Sequence, residues 1–145
     1  MDLIRATAED APRLAETVGI VWPGHSAQEL ARIVKEYVCS DGSAVFYARE
    51  DGQTVGVALC ALRHDYVEGC DTSPVGYLEG VAVREDCRRR GIARALVAQC
   101  EQWAREKGCT EFASDCELSN SASLRFHLSV GFSEEGRIIC FKKTL

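Results

Sequence analysis

No stretch of this chain is apolar for long enough to cross a membrane as a helix. Positive charge is not in excess either. Seventeen Lys and Arg stand against 22 Asp and Glu, giving a formal charge of −5 and a pI near 5.2. That balance argues against a general nucleic-acid binder, while a mildly acidic surface suits a cationic substrate. Prolines number three, and there is no repeat, low-complexity tract or linker. The 145 residues therefore read as one domain, 1–145, long enough to bury a core. Cysteine is not scarce, with eight at 39, 60, 70, 87, 100, 109, 116 and 140. What is missing is any CxxC pair, any Cys–His spacing of the zinc type and any signal-peptide pattern. A reduced, cytoplasmic protein without a metal is expected. Cys60, Cys100 and Cys140 fall in apolar patterns and are read as small hydrophobes.

What is present centres on Arg88-Arg89-Arg90-Gly91-Ile92-Ala93. Before it, Val75 to Val83 is rich in β-branched and aromatic residues and reads as a strand. After it, Ile92, Leu96, Cys100 and Trp103 recur at helical spacing until Gly108. A strand, a glycine turn and an opening helix make an anion cradle. The first helical turn has unpaired N–H groups and a partial positive charge, and Gly91 permits close approach to the backbone. The neighbouring arginines add cations suited to phosphate.

Elsewhere, Asp2 to Arg5 reads as a strand, and Thr7 as the N-cap of a helix with Leu14 and Val18 inward. Ser26 and Glu29 form a capping box for a second helix, with Leu30, Ile33, Val34, Tyr37 and Val38 on one face. Ser43 to Glu50 and Thr54 to His64 read as strands joined by the hairpin signal Asp51-Gly52. Asp65 to Pro74 reads as a loop, Glu111 to Ser114 as a short strand, Asn120 to Val130 as a helix and Glu135 to Thr144 as partly strand. Strands interspersed with helices point to a mixed α/β sheet with helices on its faces.

Arg88-x-x-Gly91-x-Ala93 at a strand-to-helix turn resembles the acetyl-CoA pyrophosphate loop of the GNAT N-acetyltransferases. Further blocks resemble the aminoglycoside 6′-N-acetyltransferases. They are Trp22-Pro23-Gly24-His25, Arg63-His64-Asp65-Tyr66-Val67, Gly69-Cys70-Asp71, Leu78-Glu79-Gly80 and Ala113-Ser114-Asp115, and they run over most of the chain. The resemblance implies the GNAT fold, with acetyl-CoA as donor and the 6′-amine of an aminoglycoside as acceptor. It implies that the pantetheine arm pairs with Val81, Ala82 and Val83. The pyrophosphate would sit on Arg88, Arg89, Arg90, Gly91, Ile92, Ala93 and Arg94, with Asn120 also reaching the cofactor. It further implies a homodimer, with a C-terminal strand available to pair across the interface.

For the acceptor, Glu79 lies inside an apolar strand, where a carboxylate needs either an arginine partner such as Arg63 or Arg84, or a substrate ammonium. Asp115 ends a short strand, as a turn cap or a substrate contact. The resemblance assigns both to substrate binding and proton removal. It also places Tyr66 over the substrate, while Trp22 reads as a substrate contact or a core or lid anchor and His25 as a substrate contact or a solvated helix-start residue. Asp65, Glu68 and Asp71 add negative charge to one loop, which steers a polycation or is simply solvated. Two positions depart from the family pattern. Where many members carry a tyrosine after the asparagine, this chain reads Ser123-Leu124-Arg125-Phe126-His127, leaving His127 or solvent to protonate the departing thiolate. Gly136 stands where relatives place an acidic contact, beside Glu134 and Glu135. Two rival readings are a GNAT enzyme for another amine and a non-catalytic acyl-CoA-binding module.

Overall fold

The structure is a computed structural model that describes residues 1–145. Five strands form one sheet in the order β1 (Asp2–Arg5), β2 (Ser43–Glu50), β3 (Gln53–Arg63), β4 (Val75–Val83) and β5 (Phe112–Ser114). Neighbours are antiparallel except β4 and β5, which are parallel. The β2–β3 hairpin turns on Asp51 (φ 48°) and Gly52 (φ 76°), two successive left-handed residues that match the right-handed twist of a hairpin.

Helices α1 (Ala11–Val21) and α2 (Ala27–Val38) cover one face of the sheet, and α3 (Ile92–Glu106) covers the other. On the first face Leu14, Val18, Leu30 and Val34 pack against Val45, Tyr47, Val57 and Leu59. On the second, Leu96, Cys100 and Trp103 pack against Phe46, Cys60 and Leu78. With both faces covered, six successive residues of β2, Ser43 to Ala48, are buried rather than alternating.

Local chemistry sets the element ends. Thr7 leads into a single 3₁₀ turn, Ala8–Asp10, and its N–H donates to the Asp10 carboxylate at 2.9 Å, so α1 proper starts at Ala11. The expected capping box at Ser26 is half formed. The Ser26 hydroxyl accepts from Glu29 N–H at 3.1 Å, but the Glu29 carboxylate turns to the His25 ring, 3.0 Å away, instead of the Ser26 backbone. All eight cysteines are free thiols, with Cys60, Cys87, Cys100 and Cys109 buried.

The C-terminal end departs from expectation. After α4 (Ser121–Ser129), Glu135 to Thr144 forms no strand. Glu135 packs over Gly69 and Gly136 lies beside Glu68. Ile138, Ile139 and Phe141 are 72%, 81% and 91% exposed, which is costly for large apolar side chains. Cys140, expected in an apolar setting, is exposed with them.

Candidate active site

β4 is the element that positions everything else. Along its first half, Gly76, Tyr77 and Leu78 pair with Phe112, Ala113 and Ser114 of β5. Beyond Leu78 the two strands part, and β4 continues to Val83 paired only with β3. The point of parting is braced. The Ser114 hydroxyl donates to Leu78 O at 3.1 Å, and His127 Nε2 lies 2.8 Å from that hydroxyl. His127 Nδ1 is 2.7 Å from the Ser123 carbonyl oxygen. Both ring nitrogens of His127 are thus engaged within the protein.

At the same point β4 carries a bulge. Cys60 of β3 faces Leu78, Leu59 faces Gly80, and Glu79 is the extra residue between them. A bulge re-aims a side chain. Leu78 stays in the α3 core while Gly80 turns against α1, so close that an added Cβ would stand 2.4 Å from Val21 Cγ1.

Beyond the bulge, the open edge of β4 faces the gap. Arg84 N–H donates to Val55 O across to β3, and the antiparallel alternation then points the backbone groups of Ala82 to β3 and those of Val81 and Val83 away from it. Val83 O, facing outward, accepts from Arg88 Nε at 3.2 Å.

The chain then enters the turn. Arg89 (φ 61°) and Gly91 (φ 80°) are both left-handed, a shape that gathers successive N–H groups. Gly91 is the N-cap of α3 and no side chain caps the helix. The first amide bonded back is Ala95, to Gly91 O, so those of Ile92, Ala93 and Arg94 point out of the helix end. An added Cβ at Gly91 meets nothing within 4 Å, so the glycine answers to its backbone conformation rather than to crowding by the protein. The arginine side chains are less free than the sequence suggests. Arg90 pairs with Glu50 at 2.8 Å, and Arg94 donates to Ser129 O at 2.7 Å, tying α3 to α4. Arg89 is exposed. Uncapped amides, a left-handed pair and an open strand edge make a donor set that fits an extended phosphorylated ligand such as CoA. Asn120 stands at the N-cap of α4, its Oδ1 accepting from Ser123 N–H at 3.1 Å, which leaves its amide NH₂ as the available donor.

Across the point of parting lies an acidic, aromatic site. Glu79 is held by Arg63 of β3 through two hydrogen bonds, Nε to Oε1 at 3.1 Å and Nη2 to Oε2 at 3.0 Å. The Arg63 guanidinium lies 3.4 Å above the centre of the Tyr77 ring, and the Tyr77 hydroxyl donates to Asp115. Four side chains thus form one chain, Glu79–Arg63–Tyr77–Asp115. Burial opposes the charge on Arg63, yet the hydrogen bonds and charge of Glu79 hold its guanidinium above its ordinary pKa. Burial, then the bond to Asp115, pushes the Tyr77 phenol up, so it stays a donor. Tyr37 of α2 borders the same site, its phenol pushed up to about 12 by burial and the Glu79 charge. Trp22, at the C-cap of α1, lies 6.4 Å from Tyr37 ring to ring.

The remaining acceptor candidates lie on the rim. Tyr66 is 80% exposed, and its hydroxyl donates to Glu68. His25 is exposed and engaged with Glu29. Loop 65–74 is shaped by Glu111, whose Oε1 accepts from the N–H groups of Asp71 and Thr72 at 2.9 and 2.8 Å. Tyr77 and Tyr37 escaped the reading of the sequence, where each looks like an ordinary apolar position. The signal was there for Tyr77, two residues before Glu79 on the same strand.

A model of the acetyltransferase (GNAT) family matches residues 9–132. The aminoglycoside N(6′)-acetyltransferase type 1 of Serratia marcescens is 42% identical over 126 residues, 86% of each chain. The solved aminoglycoside N-acetyltransferase AAC(6′)-Iy in complex with CoA superposes with a TM-score of 0.95 at 36% identity, covering 99% of this chain and 95% of that one. The same enzyme with the bisubstrate analogue CoA-S-monomethyl-acetylneamine gives 0.93, again at 36% identity, over 99% and 98%. With the split strand, the uncapped turn and these relatives together, the chain belongs to the GNAT acetyltransferase family.

Proposed function

We propose that this protein transfers the acetyl group of acetyl-CoA to the 6′-amine of aminoglycosides, and so confers resistance to them. The observation that carries the reading is the meeting at one strand of two unlike sites, an uncapped anion-binding turn beside an open β4 edge and a pair of carboxylates, Glu79 and Asp115, among aromatic rings. Relatives named for this activity, and one captured with a CoA–neamine bisubstrate analogue, support the same acceptor.

In this reading the outward backbone groups of Val81 and Val83, with Ala82 between them, receive the pantetheine arm. The amides from Arg88, Arg89 and Arg90 through Gly91, Ile92, Ala93 and Arg94 receive the pyrophosphate, and the Asn120 NH₂ adds a contact. Trp22, Tyr66 and His25 line the acceptor side. Glu79 and Asp115 bind its ammonium groups, and one of them takes the proton, since a protonated amine has no lone pair to attack a thioester. The amine nitrogen then bonds to the acyl carbon and gives up a second proton to solvent, the C–S bond breaks, and the thiolate leaves with the electron pair. With both His127 nitrogens engaged, solvent protonates that thiolate. The 145 residues work as one domain, in the cytoplasm, as a homodimer. The dimer reading is supported by Ile138, Ile139 and Phe141, exposed on a segment with strand-like composition and no partner in its own chain.

The test is acetylation of kanamycin-type aminoglycosides, and of analogues bearing a 6′-hydroxyl, read by product mass. Acetylated amines and inert hydroxyl analogues are expected. Equal turnover of both would overturn the 6′-amine assignment, and no turnover of either, with acetyl-CoA bound tightly, would favour another acceptor.

A further inference from the structure

We propose that Arg63 is a built-in competitor for the acceptor, a specificity-determining cation that holds the ammonium position at Glu79 in the free protein. The inference rests on the acceptor assignment above. Both oxygens of Glu79 are taken, at 3.1 and 3.0 Å, by a side-on guanidinium. Such a two-point pair is the strongest ordinary grip on a carboxylate, and a lone ammonium cannot match its geometry.

Position matters as much as charge. The Arg63 side chain is 42% exposed and that of Glu79 only 19%, so the guanidinium caps the carboxylate on its solvent side. It is held there by stacking on Tyr77, whose hydroxyl is bound to Asp115. The one cation therefore neutralises Glu79 and lies next to the partner of the second carboxylate. An incoming ammonium meets a site whose nearer charge is already cancelled, and to pair with Glu79 it must displace Arg63.

The consequence is selection. Arg63 ends β3, and the Asp115 carboxylate already acts on its charge, so a displaced guanidinium keeps a second carboxylate within reach. A monoamine offers one charge for the one it displaces and gains little. A polyamine makes further ion pairs and recovers what the displacement costs. Arg63 thus raises the threshold for simple amines more than for polycations.

The experiment compares wild type with Arg63→Met and Arg63→Lys in steady-state kinetics with kanamycin. Met retains an apolar stem over Tyr77 without the charge, and Lys keeps the charge without the two-point grip. For Arg63→Met the acceptor KM is expected to fall about three- to tenfold, with the acetyl-CoA KM unchanged and Arg63→Lys in between. An acceptor KM that rises, or a kcat that falls as far as loss of the proton acceptor would lower it, would show Arg63 to be a scaffold for Glu79 and overturn the proposal. An unchanged acceptor KM would overturn it too. Failure of wild type to acetylate any aminoglycoside is a separate outcome, which removes the acceptor reading and this inference with it.

Discussion

Glu79 shows how one residue acquires a role that composition does not announce. It is the extra residue of a bulge, and it faces Arg63, Tyr77 and Tyr37 because of that insertion. Of Glu79→Gln and Asp115→Asn, the one that removes the proton acceptor is expected to lower kcat by on the order of 10²–10⁴-fold and the other to raise the acceptor KM, with acetyl-CoA affinity kept in both. Normal turnover in both folded variants would refute the assignment. Gly91 makes the opposite kind of demand, on the backbone. A β-branched side chain at φ 80° is strained by about 1–2 kcal/mol, so Gly91→Val should melt several degrees lower and bind acetyl-CoA more weakly, in calorimetry and isothermal titration respectively. In the sequence Glu79 stands out as a carboxylate inside an apolar strand and Gly91 as the glycine of a strand-to-helix turn, Asp115 is marked by the family resemblance, and Arg63 is a named partner for Glu79, which the structure pairs with it. The side chains of Arg90 and Arg94 look free in the motif, and the fold gives them Glu50 and the Ser129 carbonyl as partners. The bulge was not legible, being a property of how β3 and β4 pair rather than of either strand.

At the scale of elements, the hairpin, the two α1–α2 helices and the strand–turn–helix unit follow local rules, and the structure keeps them within a residue or two. Glu29 broke its expected cap because His25, four residues before α2's third position, offered a closer partner than the Ser26 backbone. Close packing limits β4 most at Gly80. Gly80→Ala would set a methyl carbon 2.4 Å from Val21, and the strain should destabilise the fold by about 1–3 kcal/mol, seen as a lower Tm. Loop 65–74 depends on an ionised Glu111, whose carboxyl is held below its ordinary value of 4.5, first by the Thr72 hydroxyl and then by the Asp71 N–H. A depressed folded pKa means the contribution is present above pH 4.5 and is lost as pH falls through the lower, folded value. Protection of the Asp71 and Thr72 amides, taken relative to the intrinsic exchange rate at each pH, should therefore fall on acidification, and in Glu111→Gln it should be low at neutral pH already. Identical profiles in the two proteins would count against this anchor.

At the scale of the whole molecule, the final segment is where sequence and single-chain structure disagree. Glu135 to Thr144 reads as partly strand in the sequence, yet it joins none of the five strands of its own sheet. In the dimer proposed above, pairing between two copies would account for both. Light scattering should give twice the monomer mass for the wild type, and Ile138→Asp with Phe141→Asp should halve it. A monomeric wild type would leave the exposed side chains unexplained and refute the dimer.

The parting of β4 from β5 has a thermodynamic side. Only three residue pairs, Gly76–Leu78 with Phe112–Ser114, join the last strand to the sheet, and they lie 36 positions apart in the chain. Contacts so few and so distant in sequence form late and open early. A donor lodged across the gap binds the closed molecule alone, and at a hundredfold excess over its Kd it adds about 2.7 kcal/mol of resistance to unfolding. The abundance of acetyl-CoA would then set not only how fast the protein works but how long each copy survives proteolysis.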